Sequence, residues 1–192
     1  EGSVGTNQLA EAMNTSAASV SDMIKRLHHK DYVNYLKYKG VSLTKIGFLI
    51  AVKIIRKHRL WKVFLVDKLG FKWDEVHVIA EQLEHINSAK LTDKLDSFLG
   101  FPRLDPHGDA IPDENGTISK TTSKTLLANV QTETSGIVVA VNDENKSLLT
   151  YLDKINIHLG STIKVIEKIE FDDSLEILIN NSNKKLISKE IA

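Results

Sequence analysis

All three prolines of the chain, Pro102, Pro106 and Pro112, fall within residues 101–116, FPRLDPHGDAIPDENG. Proline lacks a backbone donor and biases the residue before it away from helix, so regular structure stops here and restarts later. Before this stretch apolar residues recur mainly at helical spacing; after it short β-rich runs dominate. The expected fold is mainly α with a small β part, the two halves joined by a polar linker over 113–124. With 192 residues, 42% hydrophobic, the chain can bury one good core or two modest ones. It has no cysteine, which excludes a disulfide scaffold, a thiolate zinc site and thiol catalysis. No apolar run approaches the roughly 18 residues of a membrane span and no leader pattern opens the sequence, so a cytoplasmic protein is expected.

The first third carries a charge bias. Residues 1–60 hold ten Lys/Arg and four Asp/Glu, which suggests a polyanionic partner. Thr6–Met13 reads as a short helix capped by Thr6, and Ala17–Lys30 as a second, burying Val20, Ile24 and Leu27. The outer face of the second helix shows Ser19, Ser21, Asp22, Lys25 and Arg26, with Ser16 and Ala18 at its start. Tyr32–Thr44 alternates apolar and polar residues and bends at Gly40, as a β-hairpin does, with Lys37 and Lys39 near its tip. Helix, helix and cationic hairpin in this order form a winged helix-turn-helix. In it the second helix reads base edges and the hairpin lysines hold phosphates.

Thr44 then caps a long helix that could run to Leu69, with Gly70 just beyond its end. Ile46, Leu49, Ile50, Ile54, Leu60, Val63, Phe64 and Val66 offer more apolar surface than a small domain covers, the mark of a subunit interface. His58 lies in this helix within RKHR, and taken alone reads as a surface histidine. The next helix, VHVIAEQLEH over 76–85, places His77, Glu81, Glu84 and His85 on one face at about 100° per residue. Two imidazoles and two carboxylates on adjacent turns suit a divalent transition metal; a solvated face with a few ion pairs is the alternative. Val76, Ile79, Ala80, Leu83 and Ile86 form the packing stripe opposite. Ser88 caps a third helix, which Gly100 stops. Asp105-Pro106-His107 sets a carboxylate beside an imidazole on a stiff turn, and by itself reads as a polar turn.

After the linker, Gly136–Asn142, Thr162–Glu170, Leu175–Ile179 and Lys185–Ile187 read as strands, with a short helix near Ser147–Asp153. Mostly strands in about 60 residues suggests a small β-barrel. Two other functions compete with a metal-dependent regulator. A di-metal carboxylate enzyme would want paired Glu-x-x-His motifs, and the order here is Glu-x-x-Glu-His. A metal-independent winged-helix regulator sensing an organic ligand leaves the clustered hard donors unexplained. No nucleophile–base set or phosphate loop is present, so an enzyme, and with it a small-molecule substrate, is not expected.

The order of these parts resembles the diphtheria toxin repressor and manganese transport regulator family of metal-dependent transcriptional repressors. NQLAEAMNTSAASVSDMIKRL and YLKYKGVSLTKIG are similar to its helix-turn-helix and wing; RKHRLWKVFLVDKLGF and DEVHVIAEQLEHI to its metal-binding and dimerisation region. SGIVVAVNDENKSLLTYLDKINIHLGSTIKVIEKI is similar to its SH3-like, FeoA-like C-terminal domain. The resemblance implies a winged helix over 1–44, a dimerisation and metal domain over 45–112, and the SH3-like domain over 125–192. It implies a homodimer that binds palindromic double-stranded operator DNA when loaded with Mn²⁺ or Fe²⁺, Zn²⁺ or Co²⁺ substituting in vitro, and represses metal-uptake genes.

By position, the resemblance makes His58, Glu81, Glu84 and His85 ligands of the principal metal. His77 corresponds to an ancillary-site ligand. Asp105 and His107 are similar to a Cys-Pro-His loop that binds a second metal with an acidic residue of the C-terminal domain, here Glu144. Lys62 stands where iron-type members usually have a glutamate, so the ancillary site that His77 matches cannot be intact in the same form. The family's N-terminal helix, which supplies one more ligand, an aspartate or methionine, precedes the part of the pattern seen here.

Overall fold

The computed structural model describes residues 2–36, 40–118 and 123–192. The chain divides into two units, residues 1–55 and 56–192.

In the first unit, α1 (Thr6–Ala12) and α2 (Ala17–His29) precede a hairpin of β1 (Val33–Leu36) and β2 (Gly40–Leu43). The hairpin is antiparallel, with Val33 opposite Leu43 and Leu36 opposite Gly40. Gly5, not Thr6, is the cap of α1, because its N–H donates to Oε1 of Gln8 at 3.0 Å and Thr6 already lies in the helix. Ser16 caps α2, its hydroxyl accepting from the Ser19 N–H at 3.1 Å. Val20 and Ile24 of α2 are buried with Ala10, Val33 and Val41, while Leu9, Leu27 and Tyr35 pack around them. The helical stripe and the strand alternation meet in this one core. Lys37 and Lys39, the expected phosphate contacts, lie outside the described residues.

Thr44 starts α3 (Lys45–Asp67) as expected, its Oγ1 accepting from the Gly47 N–H at 3.0 Å and donating to the Asp31 carbonyl at 2.7 Å. Gly47 is required at that turn, since a Cβ there would lie 1.8 Å from the Tyr32 carbonyl oxygen. The helix ends where Gly70, at φ 72°, donates its N–H to the Val66 carbonyl.

The second unit continues with α4 (Val76–Glu84) and α5 (Ala89–Phe98), the latter capped by Ser88. Val76 and Ala80 are buried against Leu65, with Ile79 and Leu83 beside them. Ile86 is exposed, because α4 stops two residues earlier. Leu60 and Val63 of α3 pack with Leu95 and Ile111. Of the apolar surplus anticipated for this helix, Ile46, Leu49 and Ile54 stay exposed, and Phe48 with them, whereas Leu60 and Val63 are taken up by the chain's own core.

Beyond the prolines come a 3-10 turn at Leu127–Asn129, β3 (Ser135–Ile137), α6 (Lys146–Lys154), β4 (Thr162–Lys168), β5 (Leu175–Ile179) and β6 (Asn183–Ile187). The four strands form one antiparallel sheet in the order β3-β4-β5-β6. Among the described residues it does not close fully into a barrel, while the small strand-dominated C-terminal domain that was expected is present. The expected strand over Gly136–Asn142 keeps only its first part. After Ile137 the backbone leaves the ladder, and the Val141 N–H donates to the His107 carbonyl at 3.0 Å. Ile163, Val165, Leu175, Ile177, Ile179 and Ile187 form the core of this sheet with Leu152 of α6.

The root of the hairpin gives a direct test of close packing. Gly47→Ala should lower stability by about 1–3 kcal/mol, since the added methyl must displace backbone rather than a side chain. An unchanged urea midpoint would show that the Tyr32 carbonyl moves freely.

Candidate metal centre

The site grows from one face of α3. Arg56, buried, donates to the Pro112 carbonyl at 2.7 Å and pairs with Asp96 at 2.7 Å. Lys57 reaches the Ile86 carbonyl at 3.4 Å, and Arg59 the Ala110 carbonyl. Three of the cations counted in the basic first third are therefore spent within the second unit, Arg56 on α5 and the proline loop, Arg59 on the proline loop and Lys57 on the α4–α5 connection. His58 between them is half-buried. Its Nδ1–H donates to Oε2 of Glu84 on α4 at 2.8 Å.

That pair has the geometry of metal ligands. Cis donors on an octahedral ion with bonds of about 2.1 Å stand about 3 Å apart. That spacing is between Nδ1 and Oε2, so an ion held by both would take the place of the Nδ1 proton. Burial, reinforced by the charge of Lys62 and opposed by Glu84, lowers the His58 pKa below its ordinary value. The imidazole is thus neutral at pH 7, the form that ligates.

Glu81 and His85 are exposed. Two groups of three donors lie within 4.8 Å of one another: His58, His77 and Asp143; and Asp105, His107 and Asp143. Among the described residues neither group includes Glu81, Glu84 or His85, so of the expected α4 face His77 and Glu84 meet His58, and Glu81 and His85 belong to neither group.

The second group is buried. Asp105 folds its own turn, Oδ1 accepting from the N–H groups of His107 at 2.9 Å and Asp109 at 3.0 Å. Gly108 is required in this turn: at φ 86° its Cβ would stand 2.0 Å from the Val139 carbonyl oxygen. The expected polar turn is therefore an interior one, with His107 at 0% exposure. His107 Nε2–H donates to the Trp73 carbonyl at 2.9 Å, and its ring stacks on Trp73 at 5.9 Å. Burial and the charge of Lys62 lower the His107 pKa.

Asp143, not Glu144, is the acidic residue delivered by the C-terminal segment. Glu144 is exposed, its N–H held by Asn142 Oδ1 at 2.9 Å, and this local turn aims its neighbour inward. Asp143 Oδ2 meets Lys62 Nζ at 2.6 Å and His77 Nδ1 at 3.4 Å. Lys62, 2% exposed, also contacts Asp105 Oδ2. The sequence pattern singled out neither Asp143 nor the partners of Lys62; an aspartate one residue from a candidate in an irregular segment was the available signal.

On α2, Ser16, Ala18, Ser19, Asp22, Lys25 and Arg26 are exposed. Ser21 turns back to the Ala17 carbonyl at 2.8 Å, and Asp22 pairs with Lys25 at 3.2 Å.

A two-helix-and-hairpin unit followed by helices bearing clustered imidazoles and carboxylates defines a class of winged-helix proteins with a metal-ligand domain. The family models agree. Residues 1–41 match "Iron dependent repressor, N-terminal DNA binding domain", 44–113 "Iron dependent repressor, metal binding and dimerisation domain", and 125–192 "FeoA domain". A solved manganese-dependent transcriptional repressor in complex with manganese superposes with a TM-score of 0.91 at 34% identity, over 100% of this chain and 89% of that one. An uncharacterized HTH-type transcriptional regulator of Methanocaldococcus jannaschii is 38% identical over 96 residues, 50% of this chain and 77% of that protein. The iron-dependent repressor IdeR of Mycobacterium tuberculosis is 32% identical over 55% of this chain, a match that spans 46% of IdeR. The chain belongs to the diphtheria toxin repressor and manganese transport regulator family of metal-dependent transcriptional repressors. No helix among the described residues is long and apolar enough to cross a membrane.

The Lys62 contact carries a pH dependence. Burial pushes the Asp143 carboxyl up, but the hydrogen bond and charge of Lys62, with His107 and His77, outweigh it and hold the pKa at about 2 against an ordinary 3.8. A pKa depressed in the folded state stabilises that state above the unfolded value, and the contribution is lost as pH falls from 3.8 towards 2. The stability advantage of the native chain over Asp143→Asn should therefore shrink through that window in urea titrations. A constant difference would show that Asp143 is not held by charge.

Proposed function

We propose that the chain is a metal-dependent transcriptional regulator, not an enzyme, that binds palindromic operator DNA as a homodimer and represses metal-uptake genes in the cytoplasm. The observation that carries this reading is the His58–Glu84 pair, which joins α3 to α4 with a neutral imidazole and a carboxylate at ligand spacing. Glu81 and His85 would complete the principal ligand set from the same face of α4.

These donors fit Mn²⁺ or Fe²⁺. Two carboxylates and two imidazoles without sulfur are hard to borderline ligands, which favours manganese first and iron second. Zn²⁺ and Co²⁺ would bind in vitro, and more tightly than Mn²⁺, so selectivity has to lie in which ion draws all four ligands together. A dication held by His58, Glu81, Glu84 and His85 would supply the positive charge that neutralises the carboxylates and would link α3 to α4. The protein supplies the rest. Thr44 ties the start of α3 to the hairpin root through the Asp31 carbonyl, so a shift of α3 against α4 acts on the hairpin through a continuous helix. A metal favours the DNA-competent arrangement only to the extent that it binds that arrangement better.

On α2 the exposed Ser16, Ala18, Ser19, Asp22, Lys25 and Arg26, with Ser21 at the edge of the face, suit base-edge and phosphate contacts in a major groove. Lys37 and Lys39 would serve the backbone. The exposed apolar surface of α3 supports the dimer.

His58→Ala, Glu81→Ala, Glu84→Ala and His85→Ala should each weaken Mn²⁺-dependent operator binding by more than about 100-fold while helicity is kept. Operator titrations in anaerobic buffer with Mn²⁺, Fe²⁺ and Zn²⁺ check this. Unchanged metal-dependent binding in the four variants would overturn the ligand assignment, and activation by Fe²⁺ without activation by saturating Mn²⁺ would overturn the manganese preference. Sedimentation with Mn²⁺ present should give a dimer at micromolar concentration. A monomer there would remove the basis for reading a palindrome.

A further inference from the structure

The buried pocket at Asp105, His107 and Asp143 has the donor set of a divalent ion, two carboxylates and one imidazole within 4.8 Å. It also has a cation already in place. Lys62 Nζ stands 2.6 Å from Asp143 Oδ2 and touches Asp105 Oδ2, and the lysine is 2% exposed. We propose that the Lys62 ammonium is the resident cation of this pocket, standing in for a second metal ion, so that the Asp143 segment is held to the helical part of its unit without metal.

Charge arithmetic supports the assignment. Two buried carboxylates must be compensated, and an ammonium offers up to three donors from one point, as a small cation offers one centre to several ligands. A dication in the same pocket would face that ammonium at a few ångströms in a poorly screened interior, where like charges repel strongly. The metal alternative has one foothold. His107 Nε2–H is spent on the Trp73 carbonyl, and the buried Nδ1 lone pair has no hydrogen-bond partner. A metal in the pocket would claim that nitrogen, so the test reads it.

The consequence is a chain whose contact between the proline loop and Asp143 persists in chelator, and whose metal count excludes this pocket. A total of one ion per protomer rests on the regulatory site proposed above; the exclusion from this pocket does not.

Equilibrium dialysis of the full chain against Mn²⁺, with bound metal counted by elemental analysis, tests it on four proteins: wild type, His107→Phe, Lys62→Glu and the double variant. His107→Phe keeps a ring against Trp73 and removes both nitrogens. Wild type and His107→Phe should bind the same number of ions. Lys62→Glu, which turns the cation into a fourth ligand, should bind one more, and the double variant, with three carboxylates and no imidazole, should hold that ion more weakly than Lys62→Glu does. Loss of an ion in His107→Phe overturns the proposal, and that arm decides alone if Lys62→Glu does not fold. A folded Lys62→Glu protein that gains no ion also overturns it. A wild-type count of zero with the gain in Lys62→Glu intact would sink the regulatory-site reading and leave this one standing.

Discussion

A lysine buried to 2% exposure cannot stand alone, and the second unit is built so that it does not. The cost of moving a charge out of water is several kcal/mol even after relaxation, and only close, oriented partners recover it. Lys62 finds them on two separate stretches of chain, Asp105 in the proline loop and Asp143 in the segment that leaves β3. Each partner is itself fixed by backbone. Asp105 is locked by the N–H groups it accepts from within its turn, and the irregular segment carrying Asp143 is held where Val141 donates to the His107 carbonyl. One ammonium therefore joins a helix, a loop and the approach to the sheet.

The same residue sets the protonation of its neighbours. Its charge, after burial, lowers the pKa of both His58 and His107, and its hydrogen bond holds Asp143 ionised. Burial first, and then one side chain four residues, a little more than one helical turn, beyond His58, lower both imidazole pKa values, and that side chain keeps the carboxylate ionised. The arrangement separates two roles on one helix: His58 faces Glu84 at ligand spacing, and Lys62 faces a pocket it fills.

Much of the frame was legible in the sequence because it is written in local rules. Thr44 and Ser88 cap, Gly70 and Gly100 terminate, and Val20 and Ile24 fall on the buried stripe, each decided within a turn or two of its own position. What was not legible depends on contacts that no periodicity announces, most of them with distant chain. Thr6 gave way to Gly5 through a single reaching Gln8. RKHR reads as a basic surface run, yet Arg56 and Arg59 are spent on carbonyls of residues 110–112, and no local pattern announces that. The strand expected over 136–142 has strand composition throughout. Its second half is taken by the loop at His107 instead of the sheet, which among the described residues stays open. Asp143 was missed in favour of Glu144 because outside regular structure no periodicity says which of two adjacent acids points inward.

Positions 62, 105 and 143 then have to be understood together. If a glutamate stood at 62, three carboxylates would converge with His107, and only a cation of charge two or more could compensate them. With lysine at 62, the carboxylate at 105 becomes the natural partner, where the resemblance would place a cysteine. A neutral thiol there would leave the ammonium with Asp143 alone in a dry pocket. Reversing one member without the others leaves either an uncompensated buried charge or an unfilled demand for metal, and breaking a buried pair from one side costs on the order of 3–5 kcal/mol. The lysine that looks like damage to a metal site is therefore matched, residue by residue, to the acids around it.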